Sequence, residues 1–430
     1  MRGIINCSLL IVGLCLLSLC VFSQNKRGSG VSIVKATSLI KVDGILDEED
    51  WKTASTATNF FLNYPVDSLP PSFQTEVRLT YDDDFFYISF VCYDDNKPSV
   101  VQSLRRDYEW GLNDNVGVYM DPFNDFTNGF YFNVTPYGVQ REGVMSGGGA
   151  GQDGYNPNWD NKWYSAVKRL DDRWIAEMAI PFKSFRYNHG QPEWNLNFVR
   201  QDLKRNQVSS WIATPIQFFP SSMAFYGKLQ WQSPAPHAGT NISLIPYAVT
   251  SLARDNEEKT SENTFDVGFD AKVAITPSLN LDLTVNPDFS TVEVDRQVIN
   301  LTRFEFQFPE RRQFFLENSD LFSAPGFGTI TQPFFSRRIG LAVDTADNLV
   351  RVPISYGARI SGKLGRKWRV GLMNLQTKET KSLGLPGQNY TVGVLQKQIF
   401  KRSNVDVFLV NKESIEIGRA SCRERVSSPV

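Results

Sequence analysis

Histidine is nearly absent: His189 and His237 are the only two in 430 residues. A triad built on a histidine base therefore has few positions to draw on, and neither residue sits in a recognisable motif. The chain also lacks an HExxH zinc helix, a GxSxG elbow and a complete Walker loop, since the SGGGAG stretch is not followed by Lys-Ser/Thr. Charge of one sign is missing as well. With 45 basic and 46 acidic residues the formal charge is −1, which offers nucleic acid no electrostatic attraction. Cysteine is scarce: Cys7, Cys15 and Cys20 lie in the first 23 residues and Cys422 near the end, leaving only Cys92 between them. A disulfide framework is thereby excluded. Beyond the first residues no apolar run is long enough for a spanning helix. Acidic residues are plentiful enough for a glycosidase pair, but no two carboxylates stand out by context, so no catalytic residue is assigned.

What is present is strand alternation. After residue ~240, Phe265, Val267, Phe269, Ala271, Val273 and Ile275 fall on one face and Asp266, Gly268, Asp270, Lys272 and Thr276 on the other. Leu279, Leu281, Leu283 and Val285 then oppose Asn280, Asp282, Thr284 and Asn286, and Ile354, Tyr356, Ala358, Ile360 and Leu364 oppose Ser355, Arg359, Ser361 and Lys363. Strands are expected over 241–253, 265–276, 279–288, 353–364, 368–377, 390–399 and 404–413. They approach the ~10 residues a tilted membrane strand needs, about twice the soluble average. Links alternate between tight turns (TPS, LGRK, FKRS) and the longer LARDNEEKTSEN and TKETKSLGLPGQN, as outer-membrane barrels do. Tyr247, Phe265, Trp368 and Tyr390 are expected near strand ends, as an aromatic girdle. Bacterial barrels close with an even strand number, so these seven are expected to be part of a larger, truncated barrel. A second soluble sandwich is the alternative. The Phe-rich insert 290–351, with Phe304, Phe306, Phe308, Phe314, Phe315, Phe334 and Phe335 beside Arg311, Arg312, Arg337 and Arg338, is expected either to enter the barrel or to cap it.

The two ends carry separate signals. Arg2, an apolar run from Ile4 to Phe22 and the small Ser23 read as a secretory signal peptide over 1–23. Ile417 to Val426 resembles a translated sequencing adapter, so 416–430 is expected to be foreign.

Residues 32–231 form the other half, with short alternating segments (TEVRLTY, FFYISFVCY, NVGVYMDP, GFYFNVTPYG, RWIAEMAIPF, EWNLNFVRQDL) bounded by Asp, Asn, Gly and Pro. Trp174, Ala176, Met178 and Ile180 share a face and are expected in a sandwich core, as are Trp51 and Trp194. One short helix, LDEEDWKTA, is expected with Asp47 as its cap. The segments VDGILDEEDWKTA, DNVGVYMDPFND and RWIAEMAIPFKSF resemble family 9 carbohydrate-binding modules. That resemblance implies a jelly-roll sandwich outside the cytoplasm that binds sugars by aromatic stacking, in places with structural calcium. NPDFSTVEVDRQVINLTRFEFQFPERRQFFLEN and FFSRRIG resemble an uncharacterised domain that accompanies such modules in bacterial envelope proteins. The expected fold class is all-β, a jelly-roll sandwich followed by a truncated antiparallel outer-membrane-type barrel over 240–415.

Sugars pair polar hydroxyls with apolar C–H faces, so a binding site needs flat aromatics beside carboxylates or amides. DYEWGLNDN supplies Tyr108, Trp110 and Asp114, and GYNPNWDNKW supplies Tyr155, Trp159 and Asp160. Core packing is the plain alternative for each tryptophan. In DPFNDFTNG, Asp121 and Asp125 are weak calcium ligands, with an Asp/Asn-rich turn the simpler reading. The function expected is a carbohydrate-binding protein of the outer membrane, with its sandwich in the periplasm, engaged in glycan capture or passage. Its partners would be an oligo- or polysaccharide and outer-membrane lipid, with no nucleic acid and no obligate cofactor. An O-glycosyl hydrolase and a non-catalytic structural envelope protein remain as alternatives.

Overall fold

The computed structural model describes residues 30–415, apart from 96, 150, 152–153, 158, 188–189, 237–241, 256–259, 277, 288–309, 311, 317, 323–333, 344–348, 366, 381–383 and 400–403. The leader 1–23, the tail 416–430, His189, His237, Phe304, Phe306, Phe308 and Arg311 lie outside the described residues.

The first half is a two-layer β-sandwich. Thr56–Ala57, Thr75–Tyr81, Phe85–Tyr93, Tyr164–Arg169 and Arg173–Pro181 make one layer. The second layer contains Asn115–Asp121, Gly129–Val134, Gln140–Met145, Tyr155–Asn156, Glu193–Asp202, Gln207–Ser210 and Gly227–Trp231. The strand Gly30–Lys35 joins them. Its first four residues pair in parallel with Lys228–Trp231, and Val34 and Lys35 pair in parallel with Thr80 and Tyr81. Period-two patterning decides what lies between the layers. Trp174, Ala176, Met178 and Ile180 face Val116, Val118, Met120, Phe130 and Phe132 in one apolar core, with Trp194 among them.

The short helix Glu49–Thr53 is held by tertiary contacts rather than by the expected cap. Its N-cap position is Glu48, with no side-chain cap bond, so Asp47 does not fill that role. Asp50 instead accepts the backbone N–H of Thr37 at 2.8 Å and of Ser38 at 3.0 Å, as well as both their hydroxyls. Trp51 donates its Nε1–H at 3.0 Å to Glu177, whose other oxygen accepts the N–H groups of Asp43 (2.9 Å) and Gly44 (2.6 Å). Two distant sequence signatures, VDGILDEEDW and RWIAEMAIP, are thus the two jaws of one buried clamp.

The second half is a seven-stranded antiparallel meander, each strand paired with its sequence neighbour. Its strands are Ile242–Asp255, Thr260–Thr276, Leu279–Val285, Ile354–Leu364, Trp368–Thr377, Gly387–Gln398 and Asn404–Ile415. All seven expected strands are there. The LARDNEEKTSEN segment differs, because the hairpin ladder runs on to pair Asp255 with Thr260. That extension leaves Tyr247 and Phe265 inside strands rather than at their ends. Tyr390 is buried with Met373, Leu375 and Val392. Of the four expected girdle residues, only Trp368 is both at a strand end and exposed.

This sheet exposes an apolar face, and its covered face mixes polar and apolar side chains. Asn280, Asp282, Thr284, Arg359 and Ser361 are buried, while Phe265, Val267, Val285, Tyr356, Leu372, Val407 and Leu409 are exposed. Asp282 and Arg359 meet at 2.8 Å across adjacent strands on the covered face. What covers that face is the described part of the Phe-rich insert: Phe314, Phe315, Phe322 and Phe334 pack against Met373, Leu375, Val392 and Val394. The Arg359 guanidinium lies 5.4 Å from the Phe314 ring centre and 6.0 Å from that of Phe322.

Candidate functional site

The outward face of the second sandwich layer departs from an ordinary solvated surface. In NVGVYMD and GFYFNV the alternate residues Val116, Val118, Met120, Phe130, Phe132 and Val134 enter the core. The intervening Asn115, Gly117, Tyr119, Tyr131 and Asn133 therefore point the other way. Register aligns them into two rows: Val199, Gly117, Asn133 and Arg141 in one, Asn197, Tyr119, Tyr131 and Gly143 in the other. The two glycines make the arrangement fit. A Cβ at Gly117 would collide with the Asn133 amide, and one at Gly143 with the Tyr131 hydroxyl.

Amides and phenols tie this floor together. Asn133 donates to Asn115 at 3.2 Å and to the Tyr119 hydroxyl at 3.1 Å, and Asn115 donates to Gln201 at 3.0 Å. The Tyr119 and Tyr131 rings stack with centroids 5.9 Å apart. Arg141 donates through Nε to the Tyr108 carbonyl at 3.0 Å and lays its guanidinium 4.7 Å from the Tyr131 ring centre. Trp110, in the single turn Trp110–Leu112, and Tyr155 and Tyr226 form a half-buried rim packed on the floor. Burial pushes the hydroxyls of Tyr108, Tyr119, Tyr131, Tyr155 and Tyr226 upward in pKa, so they stay protonated and able to donate. Several hydrogen-bonding atoms here are buried with no partner, namely Tyr108 Oη, Tyr131 Oη, Asn133 Oδ1 and Arg141 Nη1, while the Trp110 indole is directed at the Tyr119 hydroxyl. Such atoms are costly to bury unsatisfied, and here they converge beneath the half-buried rim of Trp110, Tyr155 and Tyr226.

An acidic cluster borders this face. Glu142, fully buried, pairs with Arg106, which also reaches Asp160 at 3.3 Å and Asp107 at 3.9 Å. Burial pushes the Glu142 carboxyl up to about 7, with the neighbouring charge of Asp107 adding to the rise. Asp107 is raised too, again chiefly by burial.

The structure brings some of the expected residues together and separates others. Trp110, Tyr108 and Tyr155 all border the floor. Asp160 is exposed at the acidic cluster, bound to Arg106. Trp159 is a correction: it is 3% exposed in the sandwich core, its ring 5.2 Å from Phe130 and 6.2 Å from Phe132, and no face is open to a sugar. Asp114 is a second, since its buried carboxylate accepts the backbone N–H of Val100 at 2.7 Å and of Leu203 at 2.6 Å, leaving it a loop anchor. Asp121 and Asp125 likewise spend their oxygens on a turn. Asp121 accepts from Phe123, Phe126 and Asn195, and Asp125 from Thr127 and Asn128 while pairing with Lys363. Among the described residues no group of three His, Cys, Asp or Glu side chains could hold a metal ion. The sequence reading missed Tyr119, Tyr131, Asn133, Arg141 and Tyr226. The signal was present for the first three, as polar or aromatic residues at every other position of strands whose remaining positions are apolar.

Residues 42–231 match the family described as carbohydrate family 9 binding domain-like, and residues 238–419 match a domain of unknown function, DUF5916. Solved structures similar to the chain include a family 9 carbohydrate-binding module from Caldicellulosiruptor kristjanssonii in complex with cellotriose. It is 14% identical, and the match covers 47% of this chain and 93% of that one with a TM-score of 0.33. A putative carbohydrate-binding protein from Bacteroides uniformis is 15% identical, with 47% and 98% covered and a TM-score of 0.36. No curated protein matches the chain.

Proposed function

From a chain that carries a family 9-like carbohydrate-binding domain followed by a DUF5916 domain, we propose a saccharide-binding protein of the outer membrane. The sandwich holds an oligo- or polysaccharide, and the meander contributes part of a membrane barrel. Its work is glycan capture or passage.

Saccharide binding rests on the floor-and-rim geometry: Trp110, Tyr155 and Tyr226 offer ring faces to C–H groups, over amides and phenols with unspent hydrogen-bonding capacity. The test is retention of soluble glycans by the detergent-solubilised chain. Trp110→Ala should weaken retention at least tenfold, and a full glycan panel with no retained member would end this reading. New reducing ends during incubation would assign a hydrolase instead.

The membrane placement rests on the exposed apolar face of the meander. An apolar outer face over a buried Asp282–Arg359 pair suits lipid outside and polar groups inside, and would be an aggregation surface in water. Among the described residues the edge strands Ile242–Asp255 and Asn404–Ile415 are paired on one side only, and further strands would pair the other. Orientation follows from the turns. Lys363, beside the short Leu364–Trp368 turn, pairs with Asp125 of the sandwich, which supports a sandwich at that end of the meander, the end that is periplasmic where such barrels carry short turns. Release of the chain by alkaline carbonate, without detergent, would end the membrane reading.

A further inference from the structure

We propose that the saccharide held at this face is acidic, carrying a carboxylate or sulfate that Arg141 receives. This rests on the saccharide reading above and narrows it.

Arg141 is only 7% exposed, and burying a guanidinium without a countercharge is strongly unfavourable. Of the five other buried arginines, three have a carboxylate: Arg359 meets Asp282 at 2.8 Å, Arg312 meets Glu310 at 2.8 Å, and Arg200 lies 3.8 Å from Asp94, while Arg369 donates to the Gln396 amide oxygen at 3.2 Å. Arg141 has no carboxylate within 4.0 Å among the described residues. Its polar contacts are the Tyr108 carbonyl and the Tyr131 ring, and its Nη1 is buried without a partner. The nearby acids make their close contacts elsewhere, although Asp107 still feels the Arg141 charge. Glu142 points to Arg106, while Asp107 accepts the Glu142 N–H at 3.3 Å and lies 3.9 Å from Arg106.

The unspent atoms around Arg141 agree in sign. Arg141 Nη1–H is a donor, and the Tyr108 and Tyr131 hydroxyls, kept protonated by burial, can donate as well as accept. Asn133 Oδ1 is the one acceptor-only atom of the set. A neutral sugar hydroxyl uses donors and acceptors alike. A carboxylate or sulfate, with only acceptor oxygens, matches a cationic, donor-rich corner. The guanidinium fork is also the group best shaped to receive two oxygens of one anion.

The decisive comparison uses the wild-type, full-length, detergent-solubilised chain in calorimetric titrations. The ligands are oligouronides of several sugar types against their methyl esters, which keep the size and ring and remove the charge, and sulfated oligosaccharides against their desulfated forms. The expected result is at least tenfold tighter binding of one acidic member than of its neutral partner, and the arm that shows it identifies carboxylate or sulfate. In Arg141→Gln that preference should collapse while Arg141→Lys keeps part of it. Should the Gln variant fail to fold, the wild-type ligand pairs decide alone. Equal binding of acidic and neutral partners overturns the acidic assignment and leaves saccharide binding standing; no binding in any arm overturns both.

Discussion

Glu177→Gln is the sharpest test of how the sandwich is held shut. Above pH 8, where Glu177 is ionised despite a pKa that burial raises to about 7, the wild-type carboxylate accepts three N–H groups, from Asp43, Gly44 and Trp51, inside the protein. Glutamine has one carbonyl oxygen. Set toward Asp43 and Gly44, it turns its own NH2 against the Trp51 Nε1–H, donor facing donor. One buried unsatisfied donor costs about 1–3 kcal/mol, and replacing two charge-assisted bonds by neutral ones loses about 1 kcal/mol each. Removing a desolvated charge returns about 1–2 kcal/mol, which leaves a net loss of about 1–4 kcal/mol. For a domain of this size that lowers Tm by roughly 2–16 °C. Scanning calorimetry measures it, and Trp51→Phe completes a double-mutant cycle. The coupling should be about 1–2 kcal/mol, because once the indole N–H is gone the glutamine no longer opposes it. Coupling below about 0.5 kcal/mol would show that the three bonds do not act as a clamp.

Three other outcomes follow from the structure. Trp159→Ala should cost about 3–5 kcal/mol of stability by emptying the core around Phe130 and Phe132, with the folded fraction keeping its glycan affinity; loss of affinity at unchanged Tm would contradict the burial. Acidification should stabilise the sandwich. Burial raises Glu142 and Glu177 to about 7, so between their ordinary range and that value the folded chain binds more protons than the unfolded one. Stability must then fall as pH rises through this window, and Tm measured at pH 6 should exceed that at pH 8; a flat or rising profile refutes it. Leu372→Arg, on the exposed apolar face, should cost about 2–4 kcal/mol in a bilayer and lower the outer-membrane fraction, whereas the same change on a water-facing surface would be nearly silent.

Fold class was legible in the sequence because strand periodicity is local. Alternation in FDVGFDAKVAIT or LNLDLTV assigns both faces of a ribbon without reference to anything distant, and all seven meander strands form where that pattern puts them. Core membership of Trp174, Ala176, Met178 and Ile180 was readable for the same reason. Trp159 was not, because in an irregular segment no period says which way a ring turns; only Phe130 and Phe132, reaching it from another strand, decide that. Nor could the chain alone show that Arg141 would be buried beside Tyr131 with its neighbouring acids facing Arg106. Charge balance at a site is summed over residues brought together by strand register, so it belongs to the tertiary structure.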